Sequence, residues 1–151
     1  MAQVMLMIRE GDKAPDFKAK TDDGTEVKLS DFAGKKNVVL YFYPKDDTPG
    51  CTKEACSFRD DFQKFNQKDT AILGVSVDSA DSHKSFKQKF SLPFPLLVDE
   101  DKSISKAYGT LNEKGYCNRM TFLIGKDGKI KKVYSQVQVD GHSADLLNSV
   151  V

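Results

Sequence analysis

The sequence predicts an α/β fold: one mixed central β-sheet with helices packed on both faces. Three observations carry that expectation. The runs Asn37–Tyr43 (NVVLYFY) and Ala71–Val77 (AILGVSV) are nearly continuous in apolar residues, as strands buried on both faces are. Segments with a helical apolar stripe separate the strand-like runs. Near the end, Met120–Ile124 and Ile130–Tyr134 flank the turn residues Asp127–Gly128, which adds an antiparallel unit to a parallel centre.

The elements follow in order. Asp16–Leu29 alternates on either side of Asp22–Gly24 and reads as a hairpin. Pro44–Gly50 breaks the first buried strand. A helix then follows, with Cys51, Ala55, Phe58, Phe62 and Phe65 on one stripe. Ser82–Phe90 reads as a helix stopped before Pro93, Leu96–Val98 as a short strand, and Lys102–Tyr108 as a short helix ended by Gly109. His142–Val151 closes the chain as a helix. This order suits a thioredoxin-like layout, although order by itself leaves a flavodoxin-like one open.

The chain has 151 residues with no repeat, low-complexity tract or linker, so one domain is expected across residues 1–151, its core starting near Ile8. Hydrophobic residues are 39% and charged residues 30%, an ordinary globular mixture. The net charge of +1 excludes a general binder of nucleic acid or anionic membrane, which would show a basic excess. No apolar run is long enough to span a bilayer. Met1–Glu10 has no basic residue before its apolar run and no small-residue cleavage site, so no secretory leader is expected. Three cysteines are too few, and odd in number, for a disulfide scaffold; a reducing compartment, the cytoplasm, is expected.

The stretch from Tyr41 to Asp60, YFYPKDDTPGCTKEACSFRD, carries the chemistry. Thr48 suits an N-cap and Pro49 the first helical position, where its missing N–H costs nothing. Cys51 then falls in the first turn, where free N–H groups and the helix dipole favour a thiolate over a thiol. That makes it a candidate nucleophile, and the alternative is a small apolar residue on the inward stripe. Cys56 lies five residues on, so an intact helix turns the two side chains about 140° apart and separates their Cα atoms by roughly 8–9 Å. A disulfide needs less than about 7 Å, so the pair closes only if the first turn unwinds. The spacing is not the CxxC of dithiol exchange enzymes. Zinc would need further Cys or His ligands, and His83 and His142 are expected on surface segments far along the chain.

The stretch resembles the active site of peroxiredoxins, and in particular of the bacterioferritin-comigratory (PrxQ) subfamily. The family pattern P-x-x-x-[ST]-x-x-C is met by Pro44, Thr48 and Cys51, and the subfamily's TPGCT-x-E-x-C-x-F-R-D by Thr48–Asp60. A second motif, an Arg just before a TFLI strand, is met by Arg119 in NRMTFLIGKDG, and the similarity runs from GDKAPDF to the GH that opens the last helix. The resemblance implies a thioredoxin-like fold and a peroxidase for hydrogen peroxide and organic hydroperoxides. It implies that Cys51 is the peroxidatic cysteine, that Arg119 lies over its thiolate, and that Thr48 offers it a hydroxyl. Pro49 would shield the pocket, Gly50 would let the backbone approach, and Pro44 would border the substrate. Glu54 would orient Arg119, although an acid in a first turn needs no partner. Cys56 would resolve the sulfenic acid to an intramolecular disulfide that thioredoxin or a similar dithiol reduces. No metal or organic cofactor is implied, and a monomer or weak dimer is expected. Cys117 departs from the pattern: an extended chain before Met120 would point it toward the Arg119 face as a third thiol, whereas the bland reading is a passive cysteine in a loop. The rival readings are a thiol–disulfide oxidoreductase, disfavoured by the absent CxxC, and a redox-sensing binding protein or chaperone switched by Cys51–Cys56.

Overall fold

The computed structural model describes residues 8–150. Residues 1–7, on which the expectation about a leader rests, and Val151 lie outside the described residues. The strands are β1 (Lys18–Thr21), β2 (Glu26–Lys28), β3 (Asn37–Phe42), β4 (Thr70–Ser76), β5 (Leu96–Val98), β6 (Met120–Ile124) and β7 (Ile130–Tyr134). The helices are α1 (Pro49–Asp60), α2 (Phe62–Gln67), α3 (Ala80–Phe90), α4 (Ser103–Ala107) and α5 (His142–Ser149). All seven strands form one sheet in the order β2-β1-β5-β4-β3-β6-β7. Strands β3, β4 and β5 are parallel, while β1, β2, β6 and β7 join antiparallel.

Alternation along β3 divides the core into two layers. Val38, Leu40 and Phe42 pack with Phe122, Ile104 and Tyr108 on one face. Val39, Tyr41 and Tyr43 pack with Cys51, Phe58, Phe65, Phe86 and Leu146 on the other. The crossovers β3–α1–α2–β4 and β4–α3–β5 step the same way along the sheet, so right-handedness puts α1, α2 and α3 on one face. Gly74 lets β4 run beneath the aromatic layer: a Cβ there would meet Tyr41 Cζ at 2.9 Å and Leu96 Cδ2 at 2.8 Å.

Two expectations need correction. The stripe from Cys51 to Phe65 is not one helix, because the chain leaves helical geometry at Asp61 (φ −98°, ψ 6°). Asp60 and Asp61 sit at the negative end of the α1 dipole, which disfavours them. Asp61 turns aside to accept from Ser143 Oγ at 2.7 Å, which leaves Phe62 only partly buried. The histidines are not on the surface: His83 and His142 are both buried. Each lies on its helix's apolar stripe, His83 one turn before Phe86 and His142 one turn before Leu146.

The burial of His142 has a measurable cost in acid. Its ring lies 5.0 Å from Tyr134 and 5.9 Å from Phe58, with Nε2 2.8 Å from Thr121 Oγ1. Burial is the main cause that pulls it from 6.5 to about 4; the charge of Arg119 adds to this and that of Asp145 opposes it. The folded state therefore binds fewer protons than the unfolded chain between those values, so stability falls as pH drops through that window. The full shift corresponds to roughly 3 kcal/mol. His142→Gln, which keeps a hydrogen-bonding group without the charge, should remove most of this acid loss, as read from urea unfolding at neutral pH and near pH 4.5. Equal acid loss in the two proteins would show that His142 is not its source.

Candidate active site

The site forms where the C-terminal end of β3 meets the N-terminal end of β6, the carboxyl edge of the parallel strands. Because β6 runs antiparallel to β3, Met120 pairs with Phe42, and the preceding residue, Arg119, stands beside the loop leaving β3. That loop turns through Asp47 (φ 56°) into Thr48, an extended N-cap, and Pro49 opens α1. Cys51 is thus the third helical residue. The amides at positions 50 and 51 have no carbonyl four residues back within the helix to bind.

Cys51 is 1% exposed, and its Sγ accepts a hydrogen bond of 3.2 Å from Arg119 Nη2. The other arm of the guanidinium, Nη1, donates to Glu54 Oε1 at 2.7 Å. Residues 68 positions apart in the chain are so joined by one planar fork, with the direction set by a carboxylate on the same helix as the thiol. Glu54 is 1% exposed, and its Oε2 is buried without a hydrogen-bond partner. Burial raises its carboxyl from 4.5 to about 7, while the charge and hydrogen bond of Arg119 pull the other way. Burial works against the charge of Arg119, but Glu54 and the sulfur more than offset this and hold the guanidinium protonated. A fixed cation is thus aimed at a sulfur that lies in a pocket screened from bulk water.

Gly50 makes this approach possible, since a Cβ there would lie 3.0 Å from Arg119 Nη2. Thr48 takes the N-cap backbone but does not cap: its Oγ1 donates to the Lys45 carbonyl at 2.9 Å. The hydroxyl expected at the thiolate therefore closes its own loop in this state. Pro44 is half-buried and lines a surface depression with Lys45, Val77, Asp78, Gly115 and Tyr116, which Cys51 and Arg119 do not border. Cys56 is partly exposed and Cys51 buried, as their opposed helix faces require.

Cys117 is not in the pocket. It belongs to the core layer on the opposite face of the sheet, fully buried, with Sγ 3.0 Å from Ser105 Oγ. The extended-chain reasoning fails because Cys117 pairs with Leu111 and the chain bends at Arg119 before β6 begins. Burial pushes the Cys117 thiol up, only partly countered by Ser105 and Thr110, which disfavours its reactive form. Sequence reasoning also passes over Asp46, a buried carboxylate in the loop before Thr48. Its signal is faint: one acid in a run of two, ahead of Thr-Pro.

The chain has clear relatives among known proteins. Residues 10–133 match the model of the AhpC/TSA family. Peroxiredoxin Bcp of Bacillus subtilis is 45% identical over 152 residues, covering 96% of each chain. The crystal structure of peroxidoxin BcpB from Mycobacterium tuberculosis superposes with a TM-score of 0.88 at 32% identity, covering 95% of this chain and 96% of that one. The crystal structure of a cysteine-to-serine mutant of PrxQ from Xylella fastidiosa gives 0.88 at 37% identity, covering 93% of this chain and 94% of that one. With its thioredoxin-like sheet, its buried thiol and these relatives, the chain belongs to the AhpC/TSA family and is a peroxiredoxin of the Bcp/PrxQ kind, a thiol-dependent peroxidase.

Proposed function

We propose that Cys51 is the peroxidatic cysteine, that Cys56 resolves it, and that a thioredoxin-type dithiol recycles the pair. The observation that carries this reading is the buried Cys51 sulfur at a helix start, hydrogen-bonded by an arginine that Glu54 holds in place. The thiolate attacks the terminal peroxide oxygen. The O–O bond breaks, sulfur becomes a sulfenic acid, and the departing alkoxide or hydroxide takes a proton to leave as alcohol or water. Arg119 and the free amides at the helix start stabilise the charge that passes from sulfur to oxygen. Thr48 joins them by turning its hydroxyl from the Lys45 carbonyl toward the peroxide, and Pro49 and Gly50 shape the mouth beside it. The Cys56 thiol then displaces hydroxide from the sulfenic sulfur, giving the Cys51–Cys56 disulfide and water. Two electrons from an external dithiol restore both thiols.

The enzyme is taken as a monomer or weak dimer, and a cytoplasmic location fits a chain whose cysteines carry a reaction rather than a scaffold. Among the described residues no helix is long and apolar enough to cross a membrane.

The test is NADPH-linked peroxide consumption with thioredoxin and its reductase. Cys51→Ser should abolish turnover. Cys56→Ser should consume one equivalent, hold a sulfenic acid, and lose at least about 90% of thioredoxin-supported turnover. Cys117→Ser should turn over at the wild-type rate, since its thiol is sealed behind the sheet. Full turnover by Cys56→Ser would remove Cys56 from the reaction.

A further inference from the structure

His83 has no part in the chemistry above, yet it is fully buried and bonded at both ring nitrogens. Its Nε2 lies 2.8 Å from the Leu97 carbonyl oxygen, which only accepts, so Nε2 carries a proton. Its Nδ1 lies 2.7 Å from Asp46 Oδ2. Asp46 in turn accepts from the Tyr43 hydroxyl at 2.5 Å and the Ser82 hydroxyl at 2.8 Å, the surroundings of an ionised carboxylate. With an acceptor at each end, the ring is an imidazolium that donates twice.

Asp46, Asp78 and His83 stand close enough together to suggest a cation site. The hydrogen bonds speak against one. Both ring nitrogens donate, so neither has a lone pair to offer, and Asp78 Oδ2 already accepts from Ser76 Oγ at 2.6 Å and Asp46 N–H at 2.8 Å. The cluster is a clamp. It grips the loop before α1 from β4, α3 and β5 at once, and Lys89 of α3 adds an exposed pair to Asp47 at 2.8 Å. The far end of α1 is held to α3 as well, by Arg59 Nη1 donating to the Phe90 carbonyl at 2.8 Å.

We propose that His83 is a positioning residue for peroxide reduction: its imidazolium pins Asp46, and through Asp46 the start of α1, so that Cys51 meets Arg119. The inference rests on the reading of Cys51 as the peroxidatic cysteine. The titratable and charged groups facing the ring are Asp46 and Tyr43 from the segment after β3, and Asp78 after β4; β5 contributes the Leu97 carbonyl, while the Ser82 hydroxyl of α3 bonds to Asp46 rather than to the ring. Burial by itself would lower the ring's affinity for its second proton. The hydrogen bond and charge of Asp46, with Leu97 and Asp78, more than offset that and raise it above its ordinary 6.5. A raised folded value means that the clamp is complete below 6.5 and loosens as pH rises through that higher value.

The experiment is single-turnover oxidation of Cys51 by hydrogen peroxide in the full chain carrying Cys56→Ser, from about pH 6 to about pH 9, with and without His83→Gln. The ionised fraction of any thiol only grows with pH, so thiol ionisation cannot produce an alkaline fall in rate. The chain with His83 should show such a fall. His83→Gln should react about tenfold more slowly near neutrality and show no alkaline fall, with faster amide exchange at residues 46–52. A folded variant that keeps the parent's rate, or slows but keeps the alkaline fall, overturns the proposal. Nitrogen NMR of the His83 ring in the unmutated chain needs no stable variant: its deprotonation midpoint must coincide with the fall in rate, and a mismatch overturns the proposal equally. A chain in which peroxide leaves Cys51 unoxidised overturns the reading of Cys51 itself, whatever His83 does.

Discussion

Arg119→Met should slow the oxidation of Cys51 by peroxide by roughly two to three orders of magnitude, the usual effect of removing one fixed donor aimed at developing charge. The methionine keeps an unbranched side chain, so the loss is of charge and of two directed hydrogen bonds rather than of volume. In the native site one guanidinium arm meets sulfur at 3.2 Å and the other meets Glu54 at 2.7 Å. Among the described residues no other side chain donates a hydrogen bond to the Cys51 sulfur. Removing Arg119 also strands Glu54, which is buried with its second oxygen already unpartnered, so the carboxyl should take up a proton at neutral pH. Arg119→Lys should recover little. A single ammonium cannot serve the sulfur and the carboxylate from one planar fork. Glu54→Gln should cost about tenfold, because the arginine keeps its charge but loses a strong aim. Stopped-flow oxidation of the Cys56→Ser protein measures all three. A rate for Arg119→Met within about threefold of the parent would mean that the guanidinium is structural and that the helix start carries the reaction.

How much of this is legible in the sequence depends on the range of the interaction. Local periodicity suffices for β6 and β7, whose bounds Met120–Ile124 and Ile130–Tyr134 coincide with the strand–turn–strand reading. The fully buried β3 follows from its unbroken apolar run, and α1 follows from Thr48-Pro49. The break at Asp61 depends in part on Ser143, a residue of α5 far along the chain, so a window around the helix holds only the local share of its cause, the two acids at the helix end. The same holds for the histidines. A histidine on an apolar stripe is buried when the fold supplies its ring with polar partners, which are Asp46 and Leu97 for His83 and Thr121 for His142. The meeting of Arg119 with Cys51 is invisible to periodicity and is reached through the resemblance; physically it follows from β6 running antiparallel beside β3. Strand alternation misplaces Cys117 because it carries the pattern through a bend that the chain makes at Arg119.

The disulfide form should be less stable to heat than the dithiol form, by roughly 5–10 °C, with the amides of about residues 48–58 exchanging at least a hundredfold faster. Bond formation requires Cys51, buried inward, to meet Cys56 on the other side of an intact helix, at Cα positions that must close by a few ångströms. The first turns of α1 must therefore unwind. About four backbone hydrogen bonds are lost at about 1 kcal/mol net each, and some apolar surface around Cys51 and Ala55 opens to water. Against this, the closed loop of a few residues restricts the unfolded chain by only about 2 kcal/mol, so the balance falls on the side of destabilisation. The segment that opens has firm ends. Upstream, Asp46 is tied to Ser82 and His83; downstream, Phe58 packs 4.7 Å from Tyr41 and 6.0 Å from Phe65, and Arg59 bonds to the Phe90 carbonyl. Amides of β3 and β4 should keep their protection, since neither core layer loses the aromatic contacts that hold the sheet. Paired hydrogen-exchange and melting measurements on fully reduced and fully oxidised protein decide it. If residues 48–58 are equally protected in both states, Cys56 does not resolve Cys51 within the helix. With Cys117 sealed in the opposite layer, the resolving thiol must then come from another chain.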